Sequence, residues 1–323
     1  MDRQGALTAL QNAVAAFARR YAAADDRWCV ALSGGPDSLA LTAVAAKLKP
    51  TTALIVDHQL QPDSHRVAGT AREQALTLGC VDAQILSVDV GTAGGPEAAA
   101  RTARYRALDE ARGDAPVLLG HTLDDQAETV LLGLGRGSGP RSIAGMRPVD
   151  PPWYRPLLGV RRAITHDACA GLQVDPWHDP HNTDRRFTRT RLRTEVLPLL
   201  EDVLGGGVAE ALARTAIALR EDSETLDELA QWALEAATSG DGLDTTRLTV
   251  LPEAVRRRVI RSWLLAGGAC DLTDKQIRGV DTLVTAWRGQ GGVAVGSPLR
   301  SQRLIAGRSG GVLTLHREPV SSS

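Results

Sequence analysis

The stretch Val30 to Leu41 reads Val-Ala-Leu-Ser-Gly-Gly-Pro-Asp-Ser-Leu-Ala-Leu, and the rest of the chain is organised around it. Trp28 to Leu32 is a short apolar run with no charge after Arg27, the pattern of a buried strand. Ser33, Gly34, Gly35 and Pro36 break it with four turn-forming residues. From Asp37 onward Leu39, Ala40, Leu41, Val44 and Leu48 recur at helical spacing. Strand, tight glycine loop and helix follow one another, so successive backbone N–H groups are expected to converge beside a positive helix N-terminus and suit a phosphate. Gly34 and Gly35 permit the close approach that a Cβ would block. Pro36 suits the first helical turn, and Ser33 and Ser38 add hydroxyls. Asp37 repels a phosphate unless a divalent cation lies between them.

A strand-to-helix turn capped by Ser or Asp is the plain alternative. The loop is neither a Walker A loop, since no Gly-Lys-[Ser/Thr] follows, nor a dinucleotide fingerprint, since the three-glycine spacing is missing. It resembles the PP-loop of the ATP pyrophosphatases, which cleave ATP to AMP and pyrophosphate.

A chain of 323 residues makes one large or two ordinary domains. The formal net charge of -1 excludes a global nucleic-acid field, so any such surface is local. Cys29, Cys80, Cys169 and Cys270 form no C-x-x-C, which argues against a zinc ribbon, an iron–sulfur site or a secreted disulfide scaffold and fits a reducing, cytoplasmic setting. No run approaches ~20 apolar residues, so no membrane span or membrane partner is expected, and the N-terminus lacks the apolar core of a signal peptide.

Taken in order, Ala6 to Tyr21 predicts an amphipathic helix, Thr52 to Val56 a strand ending at Asp57-His58, Asp63 to Leu78 a helix, Ala83 to Val88 a strand and Glu97 to Ala111 a helix. Val117 to Leu119 predicts a strand ending at Gly120-His121, and Asp124 to Leu134 a helix. The alternation implies an α/β fold with a Rossmann-like parallel sheet covered on both faces, its ligands beyond the carboxyl ends of the strands.

Gly120 to Thr129 is the second informative stretch. Thr122 is a plausible N-cap, and Asp125 completes a capping-box-like start. Asp125 and Glu128 share a helical face, as candidates for a metal or a cationic substrate. His121 is a candidate proton carrier or phosphate contact, or a satisfied strand-end histidine. Arg101 and Arg104 share a face and suit a phosphate clamp. Gly133 to Gly145 holds five glycines and is expected to be an irregular, phosphate-wrapping loop. Between Arg141 and Arg193 ten arginines stand against five aspartates, with Arg185, Arg186, Arg189, Arg191 and Arg193 closely spaced. That excess suits a polyanionic second substrate.

Together Ser33–Ser38, Val56-Asp57-His58, Glu97 to Arg101 with Tyr105, Gly120–Thr129, Arg136-Gly137 with Gly139, Gly145-Met146, Arg155-Pro156-Leu157, Asp179 with Asn182 and Arg189–Pro198 resemble the tRNA(Ile)-lysidine synthetases over residues 25 to 200. Gln59, Gln61, Ser142 and Thr190 depart from that family's usual residues. The resemblance implies ATP-dependent ligation of free L-lysine to the wobble cytidine of a CAU-anticodon isoleucine tRNA, through an adenylated intermediate, with release of AMP and pyrophosphate. It implies that Ser33, Gly34, Gly35, Pro36, Asp37 and Ser38 bind ATP and that Asp37 and Asp125 hold Mg²⁺. It further implies that Arg101 steadies the phosphates, that Asp125 and Glu128 meet metal or the lysine ammonium, and that Arg189, Arg191 and Arg193 bind tRNA.

Beyond Leu200 the character changes. Gly205-Gly206-Gly207 is a candidate hinge, so residues 1–204 are expected to form the catalytic domain and 205–323 a helical linker and a smaller α/β accessory domain that binds tRNA. One long helix or two is expected from Val208 to Ala237, with Leu212, Ile217, Leu219, Leu226, Leu229 and Leu234 as its apolar set. The arginine-rich helix Pro252–Leu265 either touches tRNA or is solvated. The chain is expected to end without the further domain of longer family members, and a homodimer is left open. Other PP-loop enzymes (a tRNA thiolase, an amidotransferase-type synthetase) and a non-catalytic nucleotide-binding module are the competing readings.

Overall fold

The computed structural model describes residues 3–59, 63–91, 95–137, 139–179, 184–299 and 301–319. Gln61, the loop segment Pro180 to Thr183 with Asn182, and the serine tail lie outside the described residues, as does the side chain of Glu97. The chain divides into two compact units, Met1–Ala218 and Leu219–Ser323.

The first unit opens with α1 (Arg3–Tyr21), β1 (Trp28–Ala31), α2 (Pro36–Leu48), β2 (Thr51–Asp57), α3 (Ser64–Thr77), β3 (Asp82–Ser87), α4 (Pro96–Ala111) and β4 (Val117–Leu118). It continues through α5 (Leu123–Arg136), α6 (Pro140–Ile143), β5 (Val149–Asp150), β6 (Trp153–Tyr154) and α7 (Arg162–Leu172). Six strands form one sheet in the order β3-β2-β1-β4-β6-β5, parallel except for β5. The alternation along β1 shows why both faces are covered. Trp28 and Val30 enter a core built with α1, α2, α3 and α7, while Cys29 enters another with Leu54, Leu108 and Val117. Strand β1 is central, so Ser33–Ser38, Asp57-His58 and His121 follow the carboxyl ends of three adjacent strands.

The expected irregular loop from Gly133 to Gly145 is instead largely helical. Gly133 and Gly135 belong to α5, which ends at Gly137 in the left-handed conformation, and α6 follows at once. Gly133 serves packing: a Cβ there would lie 2.2 Å from the Ser142 carbonyl oxygen.

After α7 come α8 (Thr188–Arg191), a π-helical turn Leu192–Val196, α9 (Leu197–Val203) and one continuous α10 (Val208–Ala237). The apolar set expected for α10 is corrected in part: Ile217 and Leu229 are exposed, and most of the buried positions hold small residues, among them Ala209, Ala213, Ala216 and Ala230. The second unit holds β7 (Thr238–Ser239), β8 (Gly242–Asp244), α11 (Thr245–Thr249), α12 (Glu253–Ala266), α13 (Asp274–Thr285), β9 (Val293–Val295), β10 (Gln302–Ser309) and β11 (Val312–Pro319). Its five-stranded antiparallel sheet, β7-β8-β11-β10-β9, shares a core with α12 and α13. The arginines of α12 turn inward: Arg256 and Arg257 pair with Asp281, and Arg258 with Asp227.

Candidate functional site

The loop after β1 is built by its own hydroxyls. The Ser38 hydroxyl accepts from Ser33 N at 3.2 Å and donates to the Gly35 carbonyl at 3.0 Å, and the Ser33 and Ser38 hydroxyls are 3.1 Å apart. Gly34 sits at φ +80°, a conformation that favours glycine. Gly35 occupies the N-cap of α2 without a side-chain cap, and Pro36 is in the first turn. The first N–H groups of α2 are therefore not claimed by a capping side chain, unlike the capped turn that was the plain alternative.

Gly120 ties the second motif to this loop. A Cβ on it would stand 3.1 Å from Asp37 C and from Ser38 N, so the strand β4 end passes directly against the start of α2. Thr122 then caps α5 with the expected capping box: Asp125 Oδ2 accepts from Thr122 N at 2.8 Å and from its hydroxyl at 2.7 Å. This orients Asp125 inward, one turn before Glu128, whose side chain is fully buried.

Arg162, a residue that local sequence pattern does not single out, joins the two stretches. It opens α7; its backbone N donates to Asp124 Oδ2 at 2.7 Å. Its Nη2 donates to Asp125 Oδ1 at 2.7 Å and to Glu128 Oε1 at 3.3 Å, and its Nε stands 3.6 Å from Asp37 Oδ2. One turn further along α7, the Thr165 hydroxyl donates to Asp37 Oδ1. Asp37, Asp125 and Glu128 thus surround one guanidinium. A signal for it was present in Arg161-Arg162: two cations at the start of a helix oppose its dipole and need acidic partners there.

The two aspartates are driven apart in acidity. Burial raises the Asp37 carboxyl above its usual range and neighbouring Asp125 adds to this, against the Thr165 hydrogen bond and Arg162. Burial pushes Asp125 up as well, but Arg162 and the Thr122 hydrogen bonds outweigh it and hold Asp125 below the ordinary value. Burial lowers His121 to about 4, so the imidazole is neutral at physiological pH, and its Nδ1 has no hydrogen-bond partner.

The arginine strip divides. Arg193 Nε donates to Glu128 Oε1 at 2.8 Å and its Nη2 lies 3.5 Å from Asp125 Oδ1. Arg189 Nη1 lies 3.9 Å from Glu128 Oε2, while Arg185 and Arg191 pair with Glu195 and remain exposed. Arg101 stacks on Tyr105 with 4.8 Å to the ring centroid and donates to its hydroxyl at 3.3 Å; Arg104 Nε is 3.4 Å from His58 Nε2. Gln59, a departure from the family pattern, adopts φ +53°, the left-handed conformation that glycine enters freely.

Asp37 and Asp125 fit a magnesium ion in chemistry and number. Among the described residues no group of three or more His, Cys, Asp or Glu side chains converges as a protein-only cage. A carboxylate or two completed by substrate phosphates is this ion's habit. Asp37 Oδ2 has its arginine only at 3.6 Å, beyond hydrogen-bond length, whereas Asp125 Oδ1 accepts from Arg162 at 2.7 Å.

Comparison with known proteins adds the following. Residues 6–200 match the model of a PP-loop domain family, and residues 243–304 that of a TilS substrate binding domain. The chain is similar to the tRNA(Ile)-lysidine synthase of Mycobacterium tuberculosis, 73% identical over 324 residues, covering 99% of this chain and 100% of that one. It is 59% identical over 311 residues to the tRNA(Ile)-lysidine synthase of Rhodococcus erythropolis, covering 96% of this chain and 95% of that one. Among solved structures it resembles the U34-tRNA thiolase NcsA of Methanococcus maripaludis with its 4Fe-4S cluster, at TM-score 0.55 and 17% identity over 68% of this chain and 80% of that one, a likeness of fold alone. Burial pushes the Cys80 and Cys169 thiols of this chain up to about 11.

Proposed function

The chain belongs to the tRNA(Ile)-lysidine synthase family, and on that premise we propose how its residues divide the work. It is an ATP-dependent ligase that forms lysidine on tRNA(Ile): the wobble cytidine of the CAU anticodon is adenylated, pyrophosphate leaves, and the amine of free lysine displaces AMP. The observation that carries the division is the shared guanidinium of Arg162. Through it a phosphate-binding loop, an acidic helix start and an arginine segment form one cluster.

The Ser33–Ser38 loop and the uncapped start of α2 receive the pyrophosphate part of ATP. Mg²⁺, held by Asp37 and Asp125, would neutralise the charge that develops on the leaving group. Arg101 steadies the phosphates. Glu128 with Asp125 receives the lysine ammonium; these carboxylates already hold guanidinium cations, which supports a site selective for positive charge. His121 is held neutral by burial, so it meets the phosphates as an N–H donor and not as a base. Arg189 and Arg191 contact the tRNA backbone, and Arg193 orients Glu128.

In domain terms, residues 1–204 carry the ATP chemistry and 205–323 supply the helical linker and accessory tRNA-binding part, a division supported by the two family matches. A cytoplasmic location accords with tRNA modification, and among the described residues no helix is long and apolar enough to cross a membrane. Exposed Leu199, Val203 and Leu204 support a homodimer, which light scattering reads directly.

Radiolabelled lysine incubated with ATP and transcripts of isoleucine and methionine tRNAs tests the whole reading. Label is expected in the isoleucine transcript alone; no label in either, or equal label in both, overturns it.

A further inference from the structure

A cavity of about 460 Å³ lies beside the carboxylate cluster, between the second half of α5 and the α8 segment. Its lining combines Leu131, Gly135, Phe187 and Leu192 with Arg136 and Arg189. Apolar faces, one aromatic ring and two cations with no carboxylate among them suit a flat, uncharged ring attached to an anionic backbone. The volume suits a single nucleotide.

Its place is equally telling. Arg189 lines the cavity and also stands 3.9 Å from Glu128 Oε2. Along α5, Leu131 is about 4.5 Å beyond Glu128 and Gly135 about 10 Å beyond it, from the rise of a helix. The cavity therefore begins one helical turn from the catalytic carboxylates, a nucleotide's step from the reacting base rather than on it. Among the described residues that line it none belongs to the loop after β1, which makes it a poor seat for the adenine of ATP.

We propose that this cavity is a subsite for an unpaired base of the tRNA anticodon loop next to the target cytidine, stacked on Phe187 with its phosphate met by Arg136 and Arg189. This rests on the function proposed above. Holding the neighbouring base would splay the loop and fix the register in which the cytidine meets ATP. The subsite is one of stacking and charge, so it reads the single-stranded state of the loop more than its sequence.

The test uses full-length protein and isoleucine tRNA transcripts carrying 2-aminopurine at each anticodon-loop position in turn. Wild-type protein is expected to quench one position beside the cytidine, and Phe187→Ala to lose that quenching and raise the Kd and KM for tRNA roughly tenfold, as loss of one base–aromatic stack does. The KM for ATP is expected to stay unchanged, and Phe187→Tyr to restore both quenching and affinity. No quenched position beside the cytidine in wild type, unchanged tRNA affinity in Phe187→Ala, or a raised KM for ATP would overturn the subsite. Absence of lysine incorporation by wild type would instead remove the function on which it rests.

Discussion

Arg162 donates to Asp125 Oδ1 at 2.7 Å from the first turn of α7, and the same guanidinium reaches Glu128 and faces Asp37. Breaking a buried ion pair by removing one partner leaves the other charge uncompensated. Arg162→Ala is therefore expected to lose about 3 kcal/mol of stability in urea unfolding and to lower kcat/KM for lysine at least tenfold. Arg162→Lys keeps the charge but not the fork that meets several carboxylates, so only part of either loss should return. Wild-type stability in Arg162→Ala would show that the cluster does not depend on it.

Asp37 carries the opposite balance. Its carboxyl binds a proton more tightly folded than unfolded, because burial disfavours the charge. Unfolding then releases a proton, so this residue's contribution to stability declines as pH rises from about 4, the unfolded carboxylate value, through its higher folded value. Asp37→Asn is expected to raise the urea midpoint at neutral pH while lowering turnover more than about a hundredfold. Asp37→Ala should likewise abolish turnover with the fold intact. Full activity in either variant would take Asp37 out of the reaction.

For His121 the sign is reversed. The folded imidazole protonates only near 4, whereas an unfolded histidine takes its proton near 6.5. The unfolded chain binds more protons between those values, so stability is lost as pH falls through that window, by up to about 3 kcal/mol for the whole span. His121→Gln should flatten the urea midpoint between neutrality and about pH 5. An unchanged slope would mean that the ring protonates in the folded protein near its ordinary value.

Arg189, Arg191 and Arg193 are expected to separate on mutation. Neutralising all three weakens tRNA binding and flattens its salt dependence, by about 0.7 in the log–log slope for each single-strand phosphate that no longer meets a cation. Arg189→Ala with Arg191→Ala should carry most of that change. Arg193→Ala, which strips Glu128 of its 2.8 Å partner, should show mainly in the KM for lysine and in stability. Three equal effects on the salt slope would return Arg193 to the tRNA surface.

The sheet and both motifs were legible because they rest on local rules: apolar runs for strands, glycines for a loop, and a capping box at Thr122 and Asp125 that the structure contains. The Gly133–Gly145 stretch misled because Gly133 answers the Ser142 carbonyl, which the start of α6 folds back onto α5 and which composition does not announce. The arginines of α12 read as a surface, yet Asp281, far along the chain, takes two of them. Arg162 takes its meaning from three carboxylates on two earlier segments, Asp37 on one and Asp125 with Glu128 on the other. Long-range pairing, not local preference, is what the linear text conceals.

The π-helical turn at Leu192–Val196 has a genetic corollary. Upstream of it Arg189 is aimed at Glu128, and downstream Leu197 is buried with Leu123 and Ala127, so both neighbours are keyed to α5. The wider turn absorbs a surplus residue that lets each keep its phase. Excising a single codon there would let the turn close to an ordinary α-turn while both sides keep their phase. In this segment a one-residue deletion should thus be far better tolerated than elsewhere along the same helices.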